Sequence, residues 1–144
     1  MKIADNLLEN MRINGYRLTK VRKVILDVLA AQHAPVSVGV IQKLLAQRKL
    51  FPNKTTVYRE LAFLKEQNAI RELQLGDSKA WYEIKPDNHH HHVVCVNCDR
   101  IEDVELKKEF LNSTEKKIEK DKKFKITRHT LEFYGVCRTC RSTA

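Results

Sequence analysis

Along the first half of the chain, apolar residues recur every three or four positions. Val21, Val24, Ile25, Val28 and Leu29 fall at i, i+3, i+4, i+7 and i+8, which makes one face of an amphipathic helix. Thr19 stands where an N-cap belongs, and Ala34-Pro35 ends the element. A leading helix is predicted over residues 3–13, stopping before Asn14-Gly15. Ser37 caps a third helix, with Ile41, Leu44 and Leu45 inward, that runs until Phe51-Pro52. A fourth begins near Asn53 and extends to about Asn68. Two β-type segments follow, Ile70–Leu75 and Ala80–Ile84, joined by Gly76-Asp77-Ser78. Helices and then a hairpin make the pattern of a winged helix-turn-helix.

Pro86-Asp87-Asn88 is a hinge-like break, which divides the chain into residues 1–85 and 86–144. Beyond it the pattern predicts a strand at Val93–Val96, a second at Arg100–Val104, a charged helix over residues 105–121, and a long strand from Phe124 to Val136. The fold class is therefore α+β: a winged helix followed by a small α/β domain, whose sheet edge is open to pairing across a dimer.

The fourth helix has two unlike faces. Val57, Leu61 and Leu64 share one, and Thr55, Tyr58, Arg59 and Ala62 occupy the other. The second face suits a recognition helix, with hydroxyls and a guanidinium for phosphates and base edges and a small residue where the groove floor comes close. Charge agrees. Of the net +9, residues 1–85 hold 15 Lys and Arg against 8 Asp and Glu, and residues 86–144 hold 12 against 10. Arg12, Arg17, Lys20, Arg22 and Lys23 form a run with no acid among them. Such a patch fits a polyanion, or simply a solvated basic surface. No apolar stretch approaches the roughly 20 residues of a membrane helix, and the N-terminus lacks an apolar signal core, so a cytoplasmic protein is expected.

In that compartment thiols stay reduced, so Cys95-x-x-Cys98 and Cys137-x-x-Cys140 read as metal ligands. Two such knuckles supply the tetrahedral four-thiolate set that Zn²⁺ prefers, with no open position, so the site is structural and not catalytic. Neither pair opens a recognisable helix, the setting that lowers a redox-active thiol's pKa.

Four histidines, His89 to His92, precede the first pair. In an extended segment His90 and His92 look one way and His89 and His91 the other, so the run feeds two sites or forms a solvated loop. The further donors are few: His33, His129, Glu83, Asp103 and the acids of helix 105–121. A metal held by His33, Glu83 and the run would bridge both domains, as a switch requires. A zinc hydrolase or deaminase needs His-x-Glu and Pro-Cys-x-x-Cys, but Val93-Val94 follow His92 and Val94 precedes Cys95. No enzyme is expected. A metal store would explain the histidines but not the Tyr58/Arg59 face.

Over nearly its whole length the chain resembles the ferric uptake regulator (Fur) superfamily. The matching motifs are Gly15-Tyr16-Arg17-Leu18-Thr19-x-x-Arg22, Thr55-Thr56-Val57-Tyr58-Arg59, His92-Val-Val-Cys95-x-x-Cys98, and His129-x-Leu131-Glu132-x-Tyr134-Gly135-x-Cys137-x-x-Cys140. The resemblance implies a homodimeric repressor that binds a double-stranded DNA operator, with no membrane and no small organic substrate among its partners. Tyr58 and Arg59 would meet the major groove, helped by Thr55, and Arg17 a phosphate or the adjacent minor groove. It also implies structural Zn²⁺ on Cys95, Cys98, Cys137 and Cys140, and a regulatory hinge site of His33, Glu83, His90, His92 and Asp103. That site would take Fe²⁺, with Mn²⁺, Co²⁺ or Zn²⁺ able to substitute. A third site would use His89, His91 and His129 with a carboxylate. The carboxylate expected there aligns near Asn112, so Glu109 or Glu105 must substitute, and Glu109 is taken. Asp103, where iron sensors often carry Glu, is shared with peroxide-sensing relatives; the peroxide-sensing and zinc-sensing branches are the alternatives.

Overall fold

The computed structural model describes residues 2–76, 79–85 and 90–142. Asp77, Ser78 and the Pro86-Asp87-Asn88 break lie outside the described residues, as does His89. The chain divides into two compact units, residues 1–87 and 88–144.

Among its described residues the first unit has four helices, α1 (Lys2–Ile13), α2 (Lys20–Ala30), α3 (Val38–Gln47) and α4 (Lys54–Glu66), and three strands, β1 (Val36–Ser37), β2 (Ile70–Gln74) and β3 (Ala80–Ile84). Capping fixes where the helices start. Thr19 accepts the Arg22 amide at 3.1 Å, Ser37 the Val40 amide, and Asn53 the Thr56 amide at 2.8 Å. The apolar stripes then converge: Ile25 and Leu26 of α2, Ile41 and Leu45 of α3, and Val57, Leu61 and Leu64 of α4 are all buried in one core. α2 stops at Ala30 rather than at Ala34-Pro35, because Val36 and Ser37 are drawn off as β1 to pair with Tyr82 and Trp81 of β3. β3 is thus central in an antiparallel sheet of order β1-β3-β2, and its Tyr82 packs into the helical core. This is a winged helix-turn-helix.

The second unit holds β4 (His91–Cys95), β5 (Ile101–Val104), α5 (Lys108–Lys122), β6 (Glu132–Gly135) and α6 (Arg138–Ser142). β4 is central, antiparallel to β5 and parallel to β6. The long strand predicted from Phe124 to Val136 is only the four residues of β6. β4 offers partners only for Glu132 to Gly135, so the preceding segment has no ladder to join. It turns to α5 instead: the Ile126 amide donates to Glu119 Oε1 at 2.8 Å. α6 was not foreseen. The buried apolar side chains here are few (Val94, Cys95 and Ile101 among the described residues), so the unit has little core of its own.

Candidate metal centres and DNA-facing surface

The Cys95–Cys98 knuckle is the β4–β5 turn. The Cys95 amide donates to Arg100 O at 2.8 Å, the Asp99 amide donates back to Cys95 O at 2.9 Å, and Asp99 takes the left-handed conformation (φ 62°) that tightens the bend. Parallel pairing sets Gly135 beside Cys95, which brings Cys137 close enough for its amide to donate to Cys95 Sγ at 3.3 Å. Cys137 directly precedes α6, contrary to the expectation that neither pair opens a helix. One turn on, α6 returns Cys140. All four sulfurs lie within 4.8 Å of one another. Thiolates held tetrahedrally at about 2.3 Å from zinc lie about 3.8 Å apart, and Cys98 Sγ is 3.7 Å from Cys137 Sγ. The set fits structural zinc.

Its protons are unevenly held. The amide of Cys137, then that of Cys98, lowers the Cys95 thiol to about 6. Cys140 is pushed up to about 12, first by its hydrogen bond to Cys137 and then by burial. A dication that neutralises several thiolates at once removes that constraint.

The histidine run divides by strand alternation. His92 stands opposite Asp103 in the β4–β5 ladder, and His90, two residues earlier, falls on the same face. Their Nε2 atoms lie 3.6 and 3.4 Å from the same oxygen, Asp103 Oδ1. The rings meet edge-on, centroids 4.8 Å apart. Donors sharing one ion at about 2.1 Å lie roughly 3–3.5 Å apart, so these three suit a divalent cation. This second site unites three of the five ligands expected. The other two, His33 and Glu83, belong to the first unit. There His33 lies between α2 and β1, and Glu83 accepts from Arg71 Nε at 3.1 Å.

His91 faces the other way. Its Nδ1–H donates to Leu131 O at 3.0 Å, and its ring stacks on His129 with centroids 5.5 Å apart. His129 Nδ1 pairs with Glu115 Oε1 at 2.5 Å. The carboxylate at this place is thus Glu115, not Glu109. Six residues apart on a helix of 3.6 per turn, the two point to different sides, and Glu109 is exposed in the first turn. These groups line a cavity of about 430 Å³ with Leu111, Asn112 and Ile126. Among the described residues, His91, His129 and Glu115 do not form a converging three-ligand group.

In the first unit Thr55, Tyr58, Arg59 and Ala62 are all exposed, opposite the buried Val57, Leu61 and Leu64. Arg17 is exposed too, in the α1–α2 loop. Sequence reasoning missed the carboxylate beside Arg59: Glu60 turns inward and accepts from Arg22 Nε at 2.8 Å. The signal was available, since Glu60 flanks the apolar stripe of α4.

The model of the ferric uptake regulator family matches residues 13–134. The chain belongs to this family. It is 31% identical over 139 residues to the peroxide-responsive repressor PerR of Staphylococcus saprophyticus, covering 95% of this chain and 90% of that one. The ferric uptake regulation protein of Bacillus subtilis is 29% identical, covering 94% and 93%. Among solved structures, the Helicobacter pylori ferric uptake regulator Fur, described as having three functional metal-binding sites, superposes with a TM-score of 0.81 at 26% identity, over 97% of this chain and 92% of that one. This Fur-family chain is a metal-sensing, DNA-binding transcriptional regulator, and family members of this kind are regulators rather than enzymes. No helix among its described residues is long and apolar enough to cross a membrane.

Proposed function

We propose that the chain is an Fe²⁺-responsive cytoplasmic repressor that binds an inverted-repeat operator as a homodimer. The observation that carries this reading is the convergence of His90 and His92 on one oxygen of Asp103. A bound divalent cation supplies the positive charge that lets two imidazole lone pairs and a carboxylate share one point. Mixed imidazole–carboxylate donors accept Fe²⁺, Mn²⁺, Co²⁺ or Zn²⁺, and availability in the cell decides among them.

Glu83 and His33 are the proposed remaining ligands, contributed by the winged-helix domain. His90 follows Glu83 by only seven positions in the chain, a span of at most about 25 Å when extended. Ligands drawn from both domains make metal affinity depend on how the domains are oriented, and linkage makes orientation depend on metal. Two winged helices held at the right separation present Tyr58, Arg59 and Thr55 to successive major grooves, with Arg17 on the neighbouring backbone or minor groove. The four cysteines, holding Zn²⁺, keep the dimerisation domain folded whether or not the regulatory site is filled.

A second reading is favoured by Asp103 and by relatives named as peroxide-responsive repressors. In it, iron held by the same ligands directs oxidation onto His33 or the His90–His92 segment. Anaerobic mobility-shift assays with Fe²⁺, Mn²⁺ and Zn²⁺ titrated separately test both. Wild type should retard operator DNA only with metal, and His33→Ala should need far more. Retardation of His33→Ala at wild-type metal concentrations removes the interdomain switch. Oxygen added to those histidines after iron and peroxide, seen by mass spectrometry with loss of retardation, selects the peroxide sensor.

A further inference from the structure

Arg22 spends every nitrogen of its guanidinium on a different connection. Nε donates to Glu60 Oε2 at 2.8 Å and Nη2 to Glu60 Oε1 at 3.3 Å, a two-pronged pair that fixes the plane of the group. Nη1 donates to the backbone carbonyl of Arg17. The face of the guanidinium lies 3.8 Å from the centroid of the Phe63 ring. Its amide is also the one that Thr19 caps.

These contacts tie two separate segments together. Glu60 and Phe63 belong to α4, one and four residues past Arg59; Arg17 belongs to the α1–α2 loop. The loop has a second tether, in which Tyr16 meets Phe63 edge-on at 5.1 Å and its hydroxyl accepts from Gln67 Nε2 at 3.4 Å. The Arg22–Glu60 side chains are 12% and 16% exposed, so water competes weakly for them. Arg17 and Tyr58, meanwhile, stay exposed.

We infer that Arg22 is a positioning residue for DNA recognition: it holds the Arg17 loop and the outer face of α4 at a fixed separation so that both engage one stretch of duplex together. The inference rests on the proposed DNA contacts of Arg17, Tyr58 and Arg59. Its physical content is preorganisation. A tethered Arg17 meets its phosphate without a separate ordering cost, whereas for an untethered one that cost cancels most of what the contact contributes, so the contact is largely lost. Lysine cannot replace arginine here, because one ammonium has no fork to hold a carboxylate and a carbonyl in fixed directions.

The test is a double-mutant cycle on operator affinity with metal present, measured by fluorescence anisotropy over a salt series. Arg17→Ala should weaken binding about tenfold and reduce the salt slope by about 1, as loss of one phosphate contact does. Arg22→Lys, which keeps charge and stem, should reproduce most of both effects, and Arg17→Ala/Arg22→Lys should be little worse than Arg17→Ala. Arg22→Met/Glu60→Gln, which leaves no buried charge unpaired, should behave as Arg22→Lys does; a purely structural role leaves the salt slope unchanged. Additive losses in the double variant, or a wild-type slope in both Arg22 variants, overturn the inference and leave the DNA reading standing. Wild-type affinity in Arg17→Ala overturns the Arg17 contact itself, and the positioning role with it.

Discussion

The sulfur of Cys98 lies 3.7 Å from that of Cys137, although one belongs to the β4–β5 turn and the other to the link between β6 and α6. Each knuckle contributes half of a tetrahedron, so loss of either half should cost the whole ion. Cys98→Ser and Cys137→Ser are both expected to lower bound zinc from about one per chain to near zero by elemental analysis. Zinc removal should melt the sheet of the second unit, where buried apolar side chains are few, and leave the helical signal of the winged helix largely intact in circular dichroism. Full sheet content after complete zinc removal counts against a structural role.

Asp103 presents one oxygen to both His90 and His92. Asp103→Ala should therefore weaken Mn²⁺ or Fe²⁺ binding at the regulatory site by at least about 100-fold, since loss of a direct ligand costs no less than loss of an outer-shell partner. Zinc content should not change. Isothermal titration with Mn²⁺ on zinc-loaded protein reads the two sites apart, and unchanged Mn²⁺ affinity refutes the assignment of Asp103.

Tyr58 and Arg59 stand out from α4 while their neighbours Val57 and Leu61 anchor it. Arg59→Ala is predicted to cost about 1–3 kcal/mol of operator binding and to relax base preference, as loss of one base-edge contact does. Lys20→Ala, from the basic run, should weaken operator and scrambled DNA alike. Competition binding against both sequences distinguishes the two patterns.

Burial, then the nearby Glu72 carboxylate, pushes the Tyr82 phenol up to about 12. Its hydroxyl lies 3.3 Å from Glu72 Oε1. Because the neutral form is favoured in the folded state, Tyr82 contributes stability that is fully present below the ordinary phenol value of 10.0 and is lost as pH rises toward about 12. Urea denaturation across that window should show a steeper alkaline decline for wild type than for Tyr82→Phe. Parallel declines would falsify the assignment.

Much of this was legible in the sequence because it depends on local rules. Caps at Thr19, Ser37 and Asn53, and stripes such as Val57, Leu61 and Leu64, are set by helix geometry alone. So is the opposite facing of His91 and His92, which follows from any strand. The two Cys-x-x-Cys pairs carried their chemistry in their spacing. The failures were non-local. Whether residues 124–131 form a strand depends on how far β4 extends, and β4 begins only at His91. Glu115 was missed because choosing among carboxylates on α5 requires the helix phase and the path of the segment bearing His129. Arg22–Glu60 joins two helices and leaves no trace in either one's periodicity.

The register that sets Gly135 against Cys95 has a thermodynamic corollary. Closing the long loop between the two thiol pairs costs chain entropy, and the β4–β6 ladder and the ion offset that cost together. Ion affinity and ladder strength are therefore reciprocal: a substitution that loosens Val94 from Tyr134, neither of them a ligand, would surface as faster zinc escape.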